Sequence, residues 1–421
     1  MGVGNIGKIA FLTLGCKLNY AETSTYERGF LQAGFEVVPW SQAADVYLVN
    51  TCSVTSTSDA KSRNLVRKVL RINPSAAVIV TGCSAELRRE DYESIPGVAR
   101  VFGCNEKARV VPDTLALLGI TSLAPVLPGD VFAAWSSGER TRSFLKVQDG
   151  CDNFCAYCTV PYARGRSRNV PIAGCVANAR AAAALGVREI VLTGVNTGDF
   201  GRTTGESFLD LLKALDGVQG IERYRISSIE PNLITEEIID WIASGTKFQP
   251  HFHIPLQTGT DEQLAAMGRK YDTAFFASRI DYIRRAMQAP GKPLVFFGID
   301  VMAGLPGETD GQFARTCEFL RDRVRPAFIH VFPYSRRPGT PAASMPGQVS
   351  EAAKKERVAA LEALSSRLHS EFIEANRGVR ERVLWESTDR KGIMEGYTGN
   401  YIRIRRPWDP ALSGQITDVT I

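Results

Sequence analysis

Three closely spaced cysteines constrain this chain more than any other feature of its sequence. Cys151, Cys155 and Cys158 lie within eight residues, directly after the apolar, strand-like segment Phe144–Val147. This spacing lets the three thiolates converge on one face of a tight loop. Three thiolates can hold three irons of a 4Fe–4S cluster and leave the fourth iron open to a small molecule.

Two other interpretations of these cysteines are three small buried apolar residues and a zinc site that lacks its fourth ligand. Zinc sites commonly pair one C-x2-C motif with a second, and no second pair follows here. The spacing therefore favours an iron–sulfur cluster.

Composition narrows the class of protein. A chain of 421 residues with 44% hydrophobic and 23% charged residues is typical of a globular protein of two or three domains. The sequence has no apolar run of the roughly 18–20 residues that cross a membrane, and the strand-like segment Lys8–Leu14 begins without a signal peptide. We therefore expect a cytoplasmic protein without membrane contact.

Charge and cysteine content are also consistent with a cytoplasmic protein. The net charge of +5 permits an acidic partner such as RNA. Nine cysteines form an odd set in a long chain without an export signal, which favours metal ligands in a reducing compartment over disulfides.

Residues 1–120 are predicted to form a Rossmann- or flavodoxin-like α/β domain, because strand patterns alternate with helical patterns. The strands are Ile9–Leu14, Val46–Val49 and Ala77–Val80. The turns that follow them end in Cys16, Cys52 and Cys83. Because parallel strands bring their carboxyl ends to one edge, we expect these cysteines to form a second three-thiolate cluster site, with simple packing as the alternative.

The three remaining cysteines are predicted to be structural. Cys104 follows a fourth possible strand, Ala99–Phe102, and is expected to be a free thiol near the sheet edge. Cys175 and Cys317 lie in helix-like surroundings and are expected in the core.

The rest of the chain divides into a linker over residues 121–142, a strand–helix domain over 143–377 and a short β-rich domain over 378–421. Six strand patterns alternate with helices in the central part, fewer than the eight of a full barrel, and periodicity alone leaves a partial barrel and a doubly wound sheet both open. The six strands are Phe144–Val147, Glu189–Leu192, Tyr224–Ser227, His251–Leu256, Leu294–Met302 and Ile329–Tyr334. One long amphipathic helix, Ser350–Asn376, leads into the last domain.

The cysteine loop, with Tyr157 before its last cysteine, resembles the signature of radical S-adenosylmethionine (SAM) enzymes. Its flanks Phe144–Gln148 and Thr159–Gly165 are similar to the methylthiotransferase branch, which modifies tRNA or a ribosomal protein. The segments Thr13–Asn19, Asn50–Thr55 and Thr81–Cys83 resemble the N-terminal domain of the same family. The resemblance implies a partial (β/α)6 TIM-like barrel at the centre and a small all-β TRAM barrel at the C-terminus.

The resemblance also implies two 4Fe–4S clusters, one on each cysteine triad, and two SAM molecules per turnover. Carried over residue by residue, the SAM contacts would be Tyr157, Gly194, Asn196, Ser228, Glu230, Gln257 and Asp300. A strand-end hydrogen bond or a cap is the plain alternative for each polar member. His251 and His253 share a strand face and are interpreted as lining residues, with a metal pair as the alternative.

Two basic segments are predicted to contact RNA. Arg164, Arg166 and Arg168 follow the cysteine loop, where a substrate would approach. In the last domain, basic and aromatic side chains suit phosphate contacts and base stacking, unless they form a solvated strand face. These residues are Tyr397, Tyr401, Arg403 and Arg405.

The activity that the resemblance implies is removal of the adenine C2 hydrogen by a 5′-deoxyadenosyl radical, followed by transfer of a methylated sulfur from the second cluster. Segments around Cys16, Cys52 and His330 look most like the branch that modifies threonylcarbamoyladenosine at tRNA position 37. The isopentenyladenosine branch, the branch that modifies a ribosomal-protein aspartate, and a non-catalytic iron–sulfur RNA-binding protein remain alternatives. The implied partners are the tRNA anticodon stem-loop and a small electron-transfer protein, with the chain a monomer.

Overall fold

The computed structural model describes residues 6–120, 132–138 and 141–421. Most of the linker predicted over residues 121–142 lies outside the described residues.

The N-terminal part is a five-stranded parallel sheet with apolar cores on both faces. Its strand order is β2-β1-β3-β4-β5, as expected for an α/β domain. The strands are β1 (Gly7–Thr13), β2 (Phe35–Val37), β3 (Val46–Thr51), β4 (Ala77–Gly82) and β5 (Val98–Val101). The helices are α1 (Lys17–Gln32), α2 (Ser56–Ile72), α3 (Cys83–Leu87), α4 (Arg89–Glu93) and α5 (Val110–Leu117).

The central part contains six long parallel strands in two sheets, β10-β9-β6 and β11-β12-β13. A parallel bridge between Ser228 and His253 joins the sheets, so the strands curl into the predicted partial barrel. The strands are β6 (Arg142–Lys146), β9 (Glu189–Thr193), β10 (Arg223–Ile226), β11 (His251–Gln257), β12 (Phe296–Ala303) and β13 (Phe328–Pro333), with the two-residue ribbon β7 (Gln148–Asp149) and β8 (Arg168–Asn169).

Helices cover the outer face of the barrel strands and close one continuous apolar core. They are α7 (Ile172–Ala184), α8 (Phe208–Asp216), α9 (Glu236–Ala243), α10 (Asp261–Ala266), α11 (Thr273–Met287), α12 (Asp310–Glu318) and α13 (Glu351–Ala375). The short helix α6 (Val160–Arg164) instead packs on α3 of the N-terminal part. Ser350 caps α13 through a hydrogen bond from the Ala353 amide, and Leu361, Leu364 and Leu368 bury its apolar stripe in the core.

The C-terminal part is a four-stranded antiparallel sheet in the order β16-β15-β14-β17. Its strands are β14 (Arg380–Trp385), β15 (Ile393–Thr398), β16 (Arg403–Pro407) and β17 (Ile416–Thr420). The buried Arg225 of β10 donates hydrogen bonds to the carbonyls of Thr398 and Gly399 at 2.8 and 2.7 Å. The sheet is therefore fixed beside the amino ends of the barrel strands.

The expected fold class is confirmed by these three parts: a parallel α/β sheet, a parallel partial barrel and an antiparallel sheet. Within the described ranges, no helix has the length and apolarity required to cross a bilayer.

Candidate active site

The loop that carries Cys151, Cys155 and Cys158 begins at a glycine that no other residue could replace without strain. Gly150 has φ of +72°, and a Cβ there would lie 2.0 Å from the carbonyl oxygen of Arg166. Backbone amides of Asn153 and Val160 point at the sulfurs of Cys151 and Cys158, each at 3.4 Å. Amides directed at sulfur stabilise thiolates, the form that binds iron.

Arg269 supports the third cysteine of this loop. Its Nη1 donates to the Sγ of Cys155 at 3.1 Å and to the hydroxyl of Tyr157 at 3.3 Å, and its Nη2 contacts Glu230 at 2.5 Å. Burial raises the pKa of Glu230 even though Arg269 opposes the shift. Sequence reasoning gave Arg269 no role, because nothing local indicates contact with Cys155, 114 positions away.

Gln148 joins the cysteine loop to the glycine turn after β9. Its Oε1 accepts hydrogen bonds from the amides of Val195 and Asn196 at 2.9 and 3.0 Å, and its Nε2 donates to the carbonyl of Gly150 at 2.8 Å. A Cβ on Gly194 would lie 2.8 Å from that Oε1. The turn predicted to contact SAM is thus held directly against the cysteine loop.

Other predicted SAM contacts follow the carboxyl ends of the next barrel strands. Asn196 Oδ1 accepts a hydrogen bond from the amide of Glu230 at 3.4 Å, and Ser228 lies just after β10. Gln257 ends β11 with φ of +75°, an unusual conformation for a side chain other than glycine. Asp300 differs, because it lies within β12, where it contacts His253 at 2.6 Å.

The second triad gathers at the carboxyl edge of the N-terminal sheet. Cys16 is the N-cap residue of α1, Cys52 follows β3, and Cys83 begins α3. A Cβ on Gly15 would lie 2.7 Å from the Sγ of Cys52, so the Cys16 turn packs directly on Cys52. The parallel pairing of Thr51 with Gly82 brings Cys83 alongside.

Among the described residues, one group has three ligand atoms within 4.8 Å of one another and could hold a single metal ion: His253, Asp300 and His330. A 4Fe–4S cluster takes each thiolate on a different iron, and either cysteine triad would supply three such thiolates.

The thiol groups of the two triads have different acidities. Burial raises the pKa of Cys52 and Cys151 to about 11, and that of Cys158 to about 12. The pKa of Cys83 is lowered to about 6, first by a hydrogen bond from Cys104 and then, against the effect of burial, by Arg164. Cys104 is buried beside Cys83, close to the sheet edge as predicted.

A buried ionic cluster lies behind Cys83, between the N-terminal sheet and the barrel. Arg164 donates from Nε to the Sγ of Cys83 at 3.2 Å, from Nη1 to Asp149 at 2.8 Å and to Glu22 at 3.3 Å. Lys107 and Lys146 contact Glu22 at 2.6 and 2.8 Å. Every charged member is at most 2% exposed.

The charges of this cluster leave an excess of positive charge beside Cys83. Three buried cations (Lys107, Lys146 and Arg164) face two carboxylates (Glu22 and Asp149), and the guanidinium of Arg168 lies 3.7 Å from Asp149 as well. Burial raises the pKa of Glu22, but the three cations outweigh it and hold that pKa at about 2. A buried charge without a partner is costly, so the cluster favours the metal-binding form of Cys83.

The residues predicted to contact RNA occupy different environments. Arg164 is 2% exposed, so the RNA contact predicted for it is not available to this buried side chain; Arg166, with 76% of its side chain exposed, faces solvent. The guanidinium of Arg168 donates to the carbonyl of Arg164 at 2.6 Å. On the C-terminal sheet, Arg403 and Arg405 pair with Glu395 at 3.5 and 2.8 Å.

A cavity of about 940 Å³ lies where the three parts meet. The N-terminal sheet contributes Cys16 and Lys17, and the C-terminal sheet contributes Tyr397 and Tyr401. The barrel contributes His251, His253, His330 and His369, which are all four histidines of the chain. One cysteine of the N-terminal triad therefore faces a cavity that extends into the barrel.

Comparison with known proteins agrees with both halves of this site. Residues 8–103 match the family described as Uncharacterized protein family UPF0004, and residues 145–320 match the Radical SAM superfamily. A solved structure of the radical SAM methyltransferase TsrM from Kitasatospora setae superposes with a TM-score of 0.57, over 80% of this chain and 77% of that chain, at 15% identity. This likeness supports the fold alone.

Sequence relatives cover nearly the whole chain. The threonylcarbamoyladenosine tRNA methylthiotransferases MtaB of Bacillus subtilis and Thermotoga maritima are 37% and 35% identical, over 98% and 93% of this chain and 93% and 89% of their own lengths. A tRNA-2-methylthio-N(6)-dimethylallyladenosine synthase of Nitratidesulfovibrio vulgaris is 31% identical over 97% of this chain and 94% of its own. Enzymes of this family carry 4Fe–4S clusters and use SAM. The chain belongs to the radical SAM tRNA methylthiotransferase family.

Proposed function

We propose that this enzyme converts threonylcarbamoyladenosine at position 37 of tRNA to its 2-methylthio derivative. The observation that carries the proposal is the basic cavity beside the N-terminal cysteine triad, where the three parts of the protein meet. Its lining includes five cationic side chains and the single carboxylate of Glu386, and Cys16 forms part of its wall. Such a cavity suits a modified nucleotide that carries negative charge.

Each triad has a defined part in this proposal. Cys151, Cys155 and Cys158 would hold the cluster that binds SAM, and Cys16, Cys52 and Cys83 would hold the cluster that supplies sulfur. When bound, these groups supply the radical chemistry that replaces an aromatic hydrogen with a methylthio group. The residues of the chain position them: Arg269 and Gln148 fix the first loop, and Arg164 fixes Cys83.

The choice of substrate is supported by the relatives. Those named for threonylcarbamoyladenosine reach 37% identity, whereas those named for dimethylallyladenosine reach 31%. Charge gives independent support, because a dimethylallyl group is apolar and would offer no partner to Lys17, the cation of the cavity wall that has no ion pair among the described residues.

Further features of the proposal concern partners. We propose that the anticodon stem-loop lies across the C-terminal sheet and the exposed Arg166, that a small electron-transfer protein supplies electrons, and that the chain acts as a monomer in the cytoplasm. Tyr397 and Tyr401 offer aromatic faces beside the cavity for the bases near position 37.

Mass spectrometry of tRNA nucleosides from cells that lack the protein tests this function. Loss of the methylthio group from threonylcarbamoyladenosine alone supports the proposal. Loss from the dimethylallyl nucleoside instead would assign the other tRNA branch. Unchanged tRNA, together with no release of 5′-deoxyadenosine from SAM by the reconstituted protein, would indicate a non-catalytic role.

A further inference from the structure

The cavity between the three parts of the protein has an uneven balance of charge. The five cations on its wall are Lys17, Arg142, Arg225, Arg390 and Arg403. Four of them are already paired within the protein: Arg142 and Arg390 with Glu386, Arg225 with Glu189, and Arg403 with Glu395.

Lys17 is the exception. Across the described residues, its ammonium group makes no hydrogen bond and no ion pair, although it lines the same cavity. It is the residue after Cys16, in the first turn of α1. The cavity therefore offers one cation that has no partner among the described residues, close to the N-terminal triad.

A second polar group lies on the barrel side of the cavity. The Nε2 of His253 is 2.6 Å from Asp300, and the ring of His330 stacks on that of His253 with centroids 4.7 Å apart and planes 19° from parallel. Within the described part of the chain, the ring of His330 makes no hydrogen bond. A neutral imidazole offers one donor and one acceptor, which suits a hydroxyl group.

The side chains of His253, Asp300 and His330 lie close enough together to hold a metal ion, but their geometry favours hydrogen bonding. Stacked rings turn their faces toward each other, whereas a shared ion requires their in-plane nitrogen lone pairs to converge. Asp300 is also occupied by His253. The free nitrogen atoms of His330 are therefore available to a ligand in the cavity.

We propose that this cavity binds the threonylcarbamoyl group of the substrate, with Lys17 pairing with its carboxylate and His330 binding its hydroxyl. The inference rests on the proposed function and adds the residues that recognise the substituent. Phe296 and Phe328, also on the wall, suit the methyl group of the threonyl side chain. In this arrangement the substituent lies inside the barrel, and the adenine ring remains near Cys16.

The carboxylate contact is tested by fluorescence anisotropy with synthetic anticodon stem-loop RNAs. One RNA carries threonylcarbamoyladenosine at position 37, and a second carries the threoninamide analogue, which has the same shape and no negative charge. The intact protein should bind the carboxylate RNA about 10- to 100-fold more tightly, the range of one charge-assisted hydrogen bond. The Lys17→Met variant should bind both RNAs alike.

The controls separate this contact from general effects on folding or RNA affinity. Lys61→Met removes an exposed lysine from α2 and should keep the full preference for the carboxylate RNA, and Lys17→Arg should restore part of it. Because the preference is a ratio measured on one protein sample, partial loss of clusters or of folded protein does not change it. A Lys17→Met variant that keeps the ratio, or an intact protein that has none, would overturn the carboxylate contact.

The hydroxyl contact is tested with a glycylcarbamoyl RNA, which lacks the hydroxyethyl side chain. The intact protein should prefer the threonyl RNA about 5-fold or more, the range of one neutral hydrogen bond. His330→Phe should remove that preference, whereas Lys61→Met should keep it, since Lys61 is exposed on α2 and does not line the cavity. Equal preferences in both variants would overturn the role of His330.

Turnover by the intact enzyme distinguishes these proposals from the proposed function. If the intact enzyme methylthiolates the threonylcarbamoyl RNA while Lys17→Met keeps its carboxylate preference, the function stands and the recognition residues are wrong. If the intact enzyme modifies only a dimethylallyl RNA, the proposed function fails, and the absence of any carboxylate preference would reject the cavity assignment with it.

Discussion

The Nε of Arg164 donates a hydrogen bond of 3.2 Å to the Sγ of Cys83, although the two residues belong to different parts of the fold and are 81 positions apart. Arg164 follows the cysteine loop of the barrel, and Cys83 lies in the triad of the N-terminal sheet. One buried guanidinium thereby links the two candidate cluster sites.

Replacing Arg164 with Met should destabilise the protein by about 3–5 kcal/mol, because Asp149 and Glu22 would lose a buried partner. The N-terminal triad should also bind its cluster poorly, so that reconstituted protein contains about half of the normal iron. Urea unfolding and iron analysis measure the two effects. Arg166→Met is the matched control, since that side chain is exposed, and it should retain both stability and iron.

Loss of one cysteine from each triad should affect different products of the reaction. Cys155→Ala should abolish release of 5′-deoxyadenosine from SAM, because it removes a ligand of the barrel site. Cys52→Ala should spare this release and abolish the methylthio product. Liquid chromatography of both products separates the outcomes, and an equal loss of both activities in the Cys52 variant would argue against separate roles.

Gly15→Ala should reduce cluster binding at the N-terminal triad, an effect that backbone strain alone would not produce. Gly15 has φ of +96°, and a Cβ there would lie 2.7 Å from the Sγ of Cys52. Gly245→Ala is the matched control, because its φ is +98° and nothing lies within 4 Å of its added Cβ. Both variants should lose about 1 kcal/mol of stability from the left-handed conformation. Only Gly15→Ala should also lose iron.

The free energy of unfolding should decrease as the pH falls from neutral to mildly acidic values, and part of this decrease should depend on His330. Burial lowers its pKa from 6.5 to about 4, assisted by His253 and Lys17 and opposed by Asp300. Since the folded state favours the neutral ring, its stability is complete above pH 6.5 and declines as the pH falls toward 4, by roughly 3 kcal/mol at most. Unfolding of His330→Phe, measured over this range, should show a smaller decline; an unchanged slope would contradict the assignment.

Arg403→Ala should weaken tRNA binding alike for modified and unmodified anticodon stem-loops, because an exposed arginine on β16 would contact phosphate and not the base. The logarithm of affinity should then depend less steeply on the logarithm of salt concentration, by a slope of about 1. A loss confined to the RNA with threonylcarbamoyladenosine would instead indicate a contact with the substituent.

Sequence patterns predicted the features that follow from local rules. The strand ends at Cys16, Cys52 and Cys83 come together because parallel strands share one carboxyl edge, and the Cys151–Cys158 loop needs only short-range spacing. The contacts of Arg269 with Cys155 and Glu230 span 114 and 39 positions and depend on how the barrel closes. No local sequence pattern predicts these contacts of Arg269.

Buried charge was the other feature that the sequence concealed. Glu22 lies on a helix and Lys107 in a short turn, positions where charged residues are usually solvated, yet both are at most 2% exposed. The sequence also did not predict that the four histidines would line one cavity. His251 and His253 lie on β11, His330 on β13 and His369 on α13, and only closure of the sheet and packing of that helix bring them to one cavity.

The ionic cluster of Glu22, Lys107, Lys146, Asp149 and Arg164 also limits how this enzyme can be recombined. Each part contributes charges that the other part helps to neutralise: Glu22 of the N-terminal part contacts Lys146 and Arg164 of the barrel, in addition to the pairs Glu22–Lys107 and Lys146–Asp149 within each part. A chimera whose N-terminal part came from a distant relative without a carboxylate at position 22 would leave these barrel cations with fewer buried partners. The two candidate cluster sites are in this sense a single inherited unit.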